Sequence, residues 1–392
     1  MNFAAPETRR IRRRVPRHFF RAPIREDPPL LPAFASFRPF ARTLGASTLA
    51  LVLCTMLNHP AHAGGTLTVA MTAGDVPVTT GNPDQGFEGY RFVGYNLYDG
   101  LLLWDLSKSD KPSEIRPGLA TSYEADPNNN KRWIVHLRHG VKWHDGCEFH
   151  ADDVVWNFQM RMDQKAPYFS TQQFTYTRAF LTNVKSVTKI DDYTVAFENN
   201  FVESLFPYTL SYVLMISPCR AKEVNYDWAQ YALHPSGTGP YKHDRFVPHQ
   251  RLELVPNTAY WDKERVPKHD RLVLIPMPEA STRTAALLTG QVDWIEAPSP
   301  DAIPRLKSGG MQIVTNVYPH DWPYLLNFTR GPFKDLRVRQ AANYALNRQD
   351  IVDMLGGTAL PEHDVVPPVG KNIEHRSRYS WRPVLSRATV ST

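Results

Sequence analysis

Residues 133–158 constrain the fold more than any other segment, because their hydrophobic period changes within a few positions. Large apolar residues first recur at every second position (Trp133, Val135 and Leu137), which predicts a strand with one face on a core. Gly140 and Gly146 predict two turns, with a short strand over 141–143 between them. From residue 154 the apolar residues recur at helical spacing, just after two aspartates of the kind that a helix N-terminus favours. Such a strand–turn–helix unit excludes an all-helical and an all-β fold.

The rest of the chain from residue 64 onward also mixes strand and helix periods, which predicts an α/β or α+β protein. Further strands are predicted over 65–71, 184–190, 193–197, 251–255, 271–275, 292–294 and 324–328. Helices are predicted within 92–103, over 282–289 and over 335–355. Gly356 and Gly357 would end the last of these helices, as glycine commonly does.

Residues 1–63 are predicted to be a leader. They contain ten arginines, three acidic residues and no lysine, followed by an apolar run over 44–57. That run suits the apolar part of a signal peptide, and Ala61-His62-Ala63 suits a cleavage site. Cys54 lies inside the apolar run, which disfavours a lipoprotein. We therefore expect export to the periplasm with cleavage near Ala63, and the true start codon stays open.

The positive charge of the chain belongs to this leader. The whole sequence has 45 basic and 39 acidic side chains, a net charge of +6. Subtracting the 10 and 3 in the leader leaves 35 and 36, a net charge of −1. A near-neutral mature chain gives no electrostatic reason to expect a nucleic acid or an anionic membrane as a partner.

Several short motifs follow one another in a fixed order along the mature chain. They are 119–124 (LATSYE), 137–146 (LRHGVKWHDG) with Phe149 and 151–155 (ADDVV), 237–241 (GTGPY), Asn257 with Tyr260 and Trp261, 290–293 (GQVD), and Asn327 with 332–333 (PF) and 335–341 (DLRVRQA). In type and order these motifs resemble the family 5 extracytoplasmic solute-binding proteins, the peptide- and nickel-binding components of ABC importers. The resemblance covers residues 64 to about 368.

The resemblance implies an α/β fold of the periplasmic-binding-protein type (class II), with two lobes joined by a hinge and an extra small domain. Lobe I would comprise 64–102 and 183–277, the extra domain 103–182, and lobe II would begin at 278 and reach 370. The family pattern ends after residue 368, so we expect an incomplete lobe II, followed by an atypical tail over 371–392. The implied function is capture of a peptide or similar small ligand and delivery to a membrane permease, by a monomer that is not an enzyme.

Aromatic residues with polar neighbours are the usual lining of a binding cleft. By their position in the family pattern, residues of three segments are expected to face the ligand. They are Phe87, Tyr90 and Arg91 in lobe I, Tyr168 and Phe169 in the extra domain, and Trp322 and Asn327 in lobe II.

A metal site within residues 133–158, which we call the motif segment, is the first alternative. His144, Asp145, Cys147, His150 and Asp152 are all of ligand type. The group crosses a turn and enters a helix start, where turn and cap chemistry explains these residues, so neither a resident metal nor a cofactor is predicted. Cys147 and Cys219 could form a disulfide or remain separate thiols, which the sequence leaves open.

Other functions remain as alternatives. A nickel or metal-chelate binder is the alternative within the same family. A periplasmic hydrolase is the alternative from another class, although the sequence has neither a Gly-x-Ser-x-Gly nor a His-Glu-x-x-His motif. A shortened product that binds nothing is the third.

Overall fold

The computed structural model describes residues 64–108, 113–315, 323–356 and 358–361. The expected leader (1–63) and tail (371–392) lie outside these ranges. The described residues form a mixed α/β structure, as the sequence predicted. No helix among them combines the length and the apolar character that a membrane crossing needs.

The larger sheet has five strands in the order β11-β1-β10-β9-β8. Its strands are β1 (Thr66–Met71), β8 (Tyr241–Val247), β9 (Arg251–Pro256), β10 (Arg271–Pro276) and β11 (Trp294–Ile295). β1 lies parallel to both β10 and β11, whereas β9 is antiparallel to β10 and to β8. The three parallel strands therefore end at the same edge of the sheet.

A second sheet has four antiparallel strands in the order β4-β5-β7-β6. Its strands are β4 (Ala120–Asp126), β5 (Asn129–Leu137), β6 (Val184–Asp191) and β7 (Thr194–Asn199), and a separate ribbon pairs β2 (Leu102–Trp104) with β3 (Ile115–Pro117). The predicted hairpin over 184–197 is confirmed as β6 and β7. One core cluster includes Val135, Phe158 and Phe197. It packs this sheet against the helix over Ala151–Met162.

The helices are mostly short. They are α1 (Tyr95–Leu97), α2 (Ala151–Met162), α3 (Thr171–Thr177), α4 (Phe206–Tyr212), α5 (Pro218–Glu223), α6 (Trp228–Leu233), α7 (Ala280–Leu288), α8 (Ile303–Ser308), α9 (Leu336–Ala345) and α10 (Arg348–Met354). A π-helical turn (Gly89–Gly94) precedes α1. The helix predicted within 92–103 is thus a π turn and a short α-helix, which ends before the ribbon strand β2.

The motif segment folds largely as its sequence predicts. Gly140 and Gly146 both have positive φ, and α2 begins directly after His150. The backbone N–H of His150 donates to Asp153 Oδ2 at 3.0 Å, so His150 is the N-cap that the sequence indicated. The predicted strand over 141–143 is only a single bridge between Lys142 and Glu148, because the two turns leave no room for a ladder.

Two predictions for residues 323–361 are wrong. Residues 324–328 form no strand, because the Asn327 side chain accepts hydrogen bonds from the backbone N–H groups of Thr329 and Arg330 and turns the chain. The helix predicted over 335–355 is two helices, α9 and α10. Asn347 separates them, since its side chain caps α10 by accepting from the N–H of Gln349 at 3.1 Å.

Strand pairing crosses the domain boundaries expected from the family resemblance. β6 and β7, which the resemblance assigned to lobe I, lie in one sheet with β4 and β5, which it assigned to the extra domain. β11 lies beyond the boundary expected at 278, but it pairs with β1, which was assigned to lobe I. These pairings join residues far apart in sequence, which a local pattern does not reveal.

The turn at Gly146 is covalently joined to α5. Cys147 and Cys219 form a disulfide, with their Cα atoms 6.7 Å apart. Beside it, Asp145 Oδ2 accepts hydrogen bonds from the hydroxyl groups of Ser217 and Ser236, at 2.5 and 2.8 Å. The structure thus resolves the pairing that the sequence left open.

The Gly-Thr-Gly motif at 237–239 packs directly on the backbone of residues 96–98. A Cβ added at Gly237 would lie 2.0 Å from the carbonyl oxygen of Leu97, and one at Gly239 would lie 2.5 Å from its carbonyl carbon. Between the glycines, the Thr238 hydroxyl donates to the buried Asp99. These glycines therefore serve close backbone packing.

Candidate binding site at the ends of three parallel strands

The candidate site lies where the three parallel strands β1, β10 and β11 end. The residues that follow them are Thr72, Met277 and Glu296, and the N–H of Met277 donates to the carbonyl of Met71 at 3.0 Å. In α/β proteins, ligands bind in the crevice outside the carboxyl ends of parallel strands. We therefore expect a binding site at this edge of the sheet.

A buried arginine fixes the two segments that leave this edge. The guanidinium of Arg283, from α7, donates to the carbonyls of Met277 and Pro278, both at 2.7 Å. It also donates to the carbonyls of Glu296 and Ala297, both at 3.0 Å. Because all four acceptors are backbone atoms, Arg283 holds the segments after β10 and β11 in one arrangement.

Four polar side chains meet at the edge, and we call them the carboxylate cluster: Thr72, Glu88, Arg91 and Glu296. The Thr72 hydroxyl lies 2.6 Å from Glu88 Oε1 and 2.8 Å from Glu296 Oε2. The Arg91 guanidinium bridges the same two carboxylates, at 2.6 Å from Glu88 and 2.7 Å from Glu296. The Arg91 side chain is 46% exposed, and the two carboxylates are largely covered.

The segment that carries Glu88 and Arg91 has an unusual backbone. Gln85, Gly86 and Phe87 all have positive φ, which residues other than glycine seldom adopt. The Gln85 amide holds this bend by donating to the carbonyl of Asp75 and accepting from its N–H, both at 3.1 Å. The π-helical turn that contains Arg91 follows, a conformation that often occurs at functional sites.

Two of the three predicted site residues in this segment lie next to the strand ends. Arg91 belongs to the carboxylate cluster, and Phe87 is 46% exposed at the preceding bend. Tyr90 does not face the solvent: it is fully buried, and its hydroxyl donates to the carbonyl of Tyr212. Burial raises the pKa of Tyr90, so its hydroxyl stays protonated. Tyr90 thus makes a core contact in this structure, and a contact between its side chain and a ligand stays a prediction.

The predicted site residues of the other segments are not brought to the carboxylate cluster by any described contact. Tyr168 is partly buried, donates to Gln159 Oε1 at 2.7 Å and packs on Trp156. Phe169 packs on Phe174. Asn327 is exposed and uses its side-chain oxygen in a local turn, and Trp322 lies outside the described residues. Their role in binding stays a prediction.

Sequence reasoning missed Thr72, Glu88 and Glu296. Thr72 comes directly after the predicted strand over 65–71, and Glu296 lies two residues beyond the predicted strand over 292–294. Both positions are a usable signal if the strands are known to be parallel and adjacent. Glu88 gave no such signal, because its partner Glu296 is distant in sequence. Only the pairing of β1 with β11 brings the two together.

The metal-type residues of the motif segment each have a protein partner. His144 Nε2 lies 3.0 Å from the carbonyl of Gly239, and its Nδ1 accepts from the N–H of Gly237. Burial lowers the pKa of His144 to about 4, so it is neutral at physiological pH. Asp152 pairs with Lys189 at 2.7 Å, and Cys147 is in the disulfide. Turn, cap and packing contacts therefore account for these groups.

Comparison with protein families gives a match over most of the described chain. Residues 114–379 match the model for the bacterial extracellular solute-binding proteins, family 5 (middle region). Among curated proteins, the heme-binding protein A of Haemophilus influenzae is 30% identical over 295 residues, which cover 71% of this chain and 53% of that protein. The dipeptide-binding protein of Escherichia coli K12 is 28% identical over 334 residues, covering 79% of this chain and 61% of that protein.

Comparison with solved structures also gives a match to a periplasmic binding protein. The Helicobacter pylori periplasmic binding protein DppA, in complex with the peptide STSA, matches with a TM-score of 0.65 and 28% identity. The match covers 78% of this chain and 61% of DppA. The periplasmic-binding-protein fold expected from the sequence is thus confirmed. The chain spans between about half and three fifths of the length of these relatives.

Proposed function

The chain belongs to the bacterial extracellular solute-binding proteins of family 5, and on that premise we propose that it is the solute-binding component of an ABC importer. It would be exported to the periplasm, with the signal peptide cleaved near Ala63, and would act there as a monomer. There it would capture a peptide or similar small ligand and deliver it to a membrane permease. The observation that carries the proposal is the carboxylate cluster at the ends of β1 and β11.

The fold supports the position of the site. The ends of parallel strands form one wall of a crevice in α/β binding folds. Arg283 holds the segments that follow β10 and β11 in place, and Phe87, the residue before Glu88, is exposed. We propose Phe87 and Arg91 as members of the lobe I wall, and Tyr168, Phe169, Trp322 and Asn327 as contacts from the other segments. We also propose two lobes and an extra domain, with the expected boundaries changed in two places. Because of the strand pairing, 184–199 is assigned to the extra domain and 278–295 to lobe I.

The relatives support the ligand class. The Escherichia coli relative is a dipeptide-binding protein, and the Helicobacter pylori structure contains a bound peptide. The family consists of binding proteins, and we propose that this chain too has no catalytic activity. Binding of a nickel or metal chelate is the competing proposal within the family.

Thermal unfolding of the full 392-residue chain tests the proposed function. We expect a casein hydrolysate to raise the unfolding midpoint by several degrees, because a ligand present at 100 times its Kd stabilises the folded state by about 2.7 kcal/mol. Nickel with histidine, added instead of the hydrolysate, is expected to leave the midpoint unchanged.

Two outcomes would contradict the proposed function. A shift with nickel and histidine but none with the hydrolysate would favour the chelate binder. Loss of hydrolysate peptides over time, followed by chromatography, would identify a hydrolase. The same chain heated with a hydrolysate of free amino acids only is the control for nonspecific stabilisation.

A further inference from the structure

The disulfide lies beside a third side chain of the metal-ligating type, that of Asp145. The sulfur atoms of Cys147 and Cys219 and one carboxylate oxygen of Asp145 all lie within 4.8 Å of one another. Cysteine sulfur and carboxylate oxygen are both common ligands of zinc. Among the described residues, this is the one place where three histidine, cysteine or acidic side chains bring their ligand atoms so close together.

The surrounding chain holds the carboxylate of Asp145 in one orientation. Its Oδ2 accepts hydrogen bonds from the hydroxyl groups of Ser217 and Ser236, and both serines are buried. Its Oδ1 accepts a hydrogen bond from the backbone N–H of Cys147 at 3.0 Å. In the metal sites of proteins, hydrogen bonds of this kind orient the carboxylates that bind the metal. The Asp145 side chain is therefore already positioned in the way that a ligand needs.

Oδ1 of Asp145 has room for a cation. Each oxygen of an ionised carboxylate can accept about two hydrogen bonds. In the described structure, Oδ2 accepts from both serines, whereas Oδ1 accepts only from the N–H of Cys147. Oδ1 can therefore bind a cation while every hydrogen bond that orients Asp145 is kept.

The redox state decides whether the two sulfurs can bind a metal. The thiolate is the form of cysteine that binds metal ions, and the two sulfurs are joined to each other in the disulfide. Cys219 is exposed and Cys147 is partly exposed, so a dithiol reductant has access to the bond. One thiolate of the reductant attacks a disulfide sulfur, and its second thiol resolves the mixed disulfide. The products are two cysteine thiols and the reductant in its disulfide form.

From this arrangement we propose that the reduced protein binds one zinc ion through the sulfur atoms of Cys147 and Cys219 and through Oδ1 of Asp145. Binding of the ion to both thiols forms two zinc–sulfur bonds and releases the two thiol protons. These bonds join the turn at Gly146 to α5, the same two segments that the disulfide joins. The zinc site is thus a second, redox-dependent link at this place, and it does not depend on the proposed function.

The site needs only a small change in the positions of the two sulfurs. Zinc–sulfur bonds of about 2.3 Å in a tetrahedral site place two sulfurs about 3.7 Å apart. The Cα atoms of the two cysteines are 6.7 Å apart, so rotation of their side chains about the Cα–Cβ bonds can provide this separation. The backbone of the turn can stay in place, with its hydrogen bonds between Trp143 and Cys147 and between Gly146 and Trp143, both at 2.9 Å.

The fourth ligand of the tetrahedral ion would be a water molecule. His144, the histidine next to Asp145 in the sequence, has both ring nitrogens in contact with the backbone of Gly237 and Gly239. Asp145 and Cys219 are exposed, so water has access to the three ligand atoms. Three protein ligands and one water are a common ligand set of four-coordinate zinc.

The first test compares the zinc content of the reduced and the oxidised protein. The full 392-residue chain is reduced with a water-soluble phosphine or left oxidised, incubated with zinc chloride alone and separated from unbound zinc by gel filtration. Elemental mass spectrometry should find one more zinc ion per chain in the reduced protein than in the oxidised protein. Cys54→Ser, which removes the third cysteine of the chain, should show the same difference. Equal zinc contents of the reduced and the oxidised parent would overturn the proposal.

Variants give the second test, in which the reduced protein competes for zinc with a chromophoric chelator. Asp145→Asn keeps the shape of the side chain and is expected to weaken zinc binding by at least about tenfold, a loss no smaller than that from removing an outer-shell partner. Asp152→Asn is the matched control, because Asp152 is an exposed carboxylate of the same segment whose partner is Lys189, and it should bind zinc as the parent does. The double variant Cys147→Ser with Cys219→Ser should lose the reduction-dependent zinc. An Asp145→Asn variant that binds zinc as tightly as the parent would contradict the proposed ligand set.

Urea-induced unfolding distinguishes a site in the folded protein from two free thiols in an unfolded chain. An ion that binds the folded protein alone increases its stability. Zinc chloride is therefore expected to raise the urea midpoint of the reduced parent, and to leave the midpoints of the oxidised parent and of the reduced double variant unchanged. A reduced parent that binds zinc but unfolds at an unchanged or lower urea concentration in its presence would show that the ion binds the unfolded chain, and would overturn the proposal.

Discussion

Replacement of Asp99 by alanine is expected to lower the free energy of unfolding by about 3–5 kcal/mol. Asp99 is fully buried, and burial raises the pKa of its carboxyl group. It accepts hydrogen bonds from the Tyr260 hydroxyl at 2.8 Å and from the Trp261 indole and Thr238 hydroxyl at 3.0 Å. Alanine would leave these three donors without an acceptor in the core, and each buried donor costs about 1–3 kcal/mol when unpaired.

Urea-induced unfolding, followed by tryptophan fluorescence, measures this effect. Asp192→Ala is the control, because Asp192 is an exposed carboxylate whose ion pair with Lys189 is screened by solvent and should contribute little to stability. Asp99→Asn, which keeps one oxygen acceptor, should fall between the parent and Asp99→Ala. An Asp99→Ala variant as stable as Asp192→Ala would show that the Asp99 network does not stabilise the fold.

Removal of the disulfide is expected to have a similarly large effect. Cys147 and Cys219 are 72 residues apart, and closing a loop of that length in the unfolded chain corresponds to about 4 kcal/mol in the loop-entropy description. The bond joins the turn at Gly146 to α5, beside Asp145, Ser217 and Ser236. The double variant Cys147→Ser with Cys219→Ser should therefore unfold at lower urea concentration than the parent.

The third cysteine provides the matched control. Cys54→Ser removes a thiol from the proposed leader and should leave the unfolding curve unchanged, with and without a reducing agent. The parent chain in a reducing agent should unfold like the double variant. If the double variant matched the parent under oxidising conditions, the disulfide would make no contribution to stability.

The elements that were predicted correctly from sequence are those whose conformation depends on residues close to one another in the sequence. The turns at Gly140 and Gly146, the cap at His150 and the β6–β7 hairpin depend on local backbone and side-chain chemistry, and all are confirmed. The family motifs identified the fold for a related reason, since residues such as Gly237 and Gly239 are required where two backbones touch.

What the sequence could not predict depends on contacts between distant segments. The carboxylate cluster exists only because β11 pairs with β1 and brings Glu296 beside Glu88. The pairing of β7 with β5 and of β11 with β1 could not be predicted for the same reason. Tyr90 was expected to face the ligand from its position in the family pattern, but position in a motif does not reveal that its side chain is fully buried in this structure.

Native mass spectrometry of the full 392-residue chain, after incubation with casein hydrolysate and removal of unbound peptides, tests the binding function most directly. The proposed function predicts a complex of one chain with one peptide, and the peptide should be released unchanged on denaturation. A spectrum that contains only the unbound chain, from protein with a cooperative unfolding transition, would contradict it.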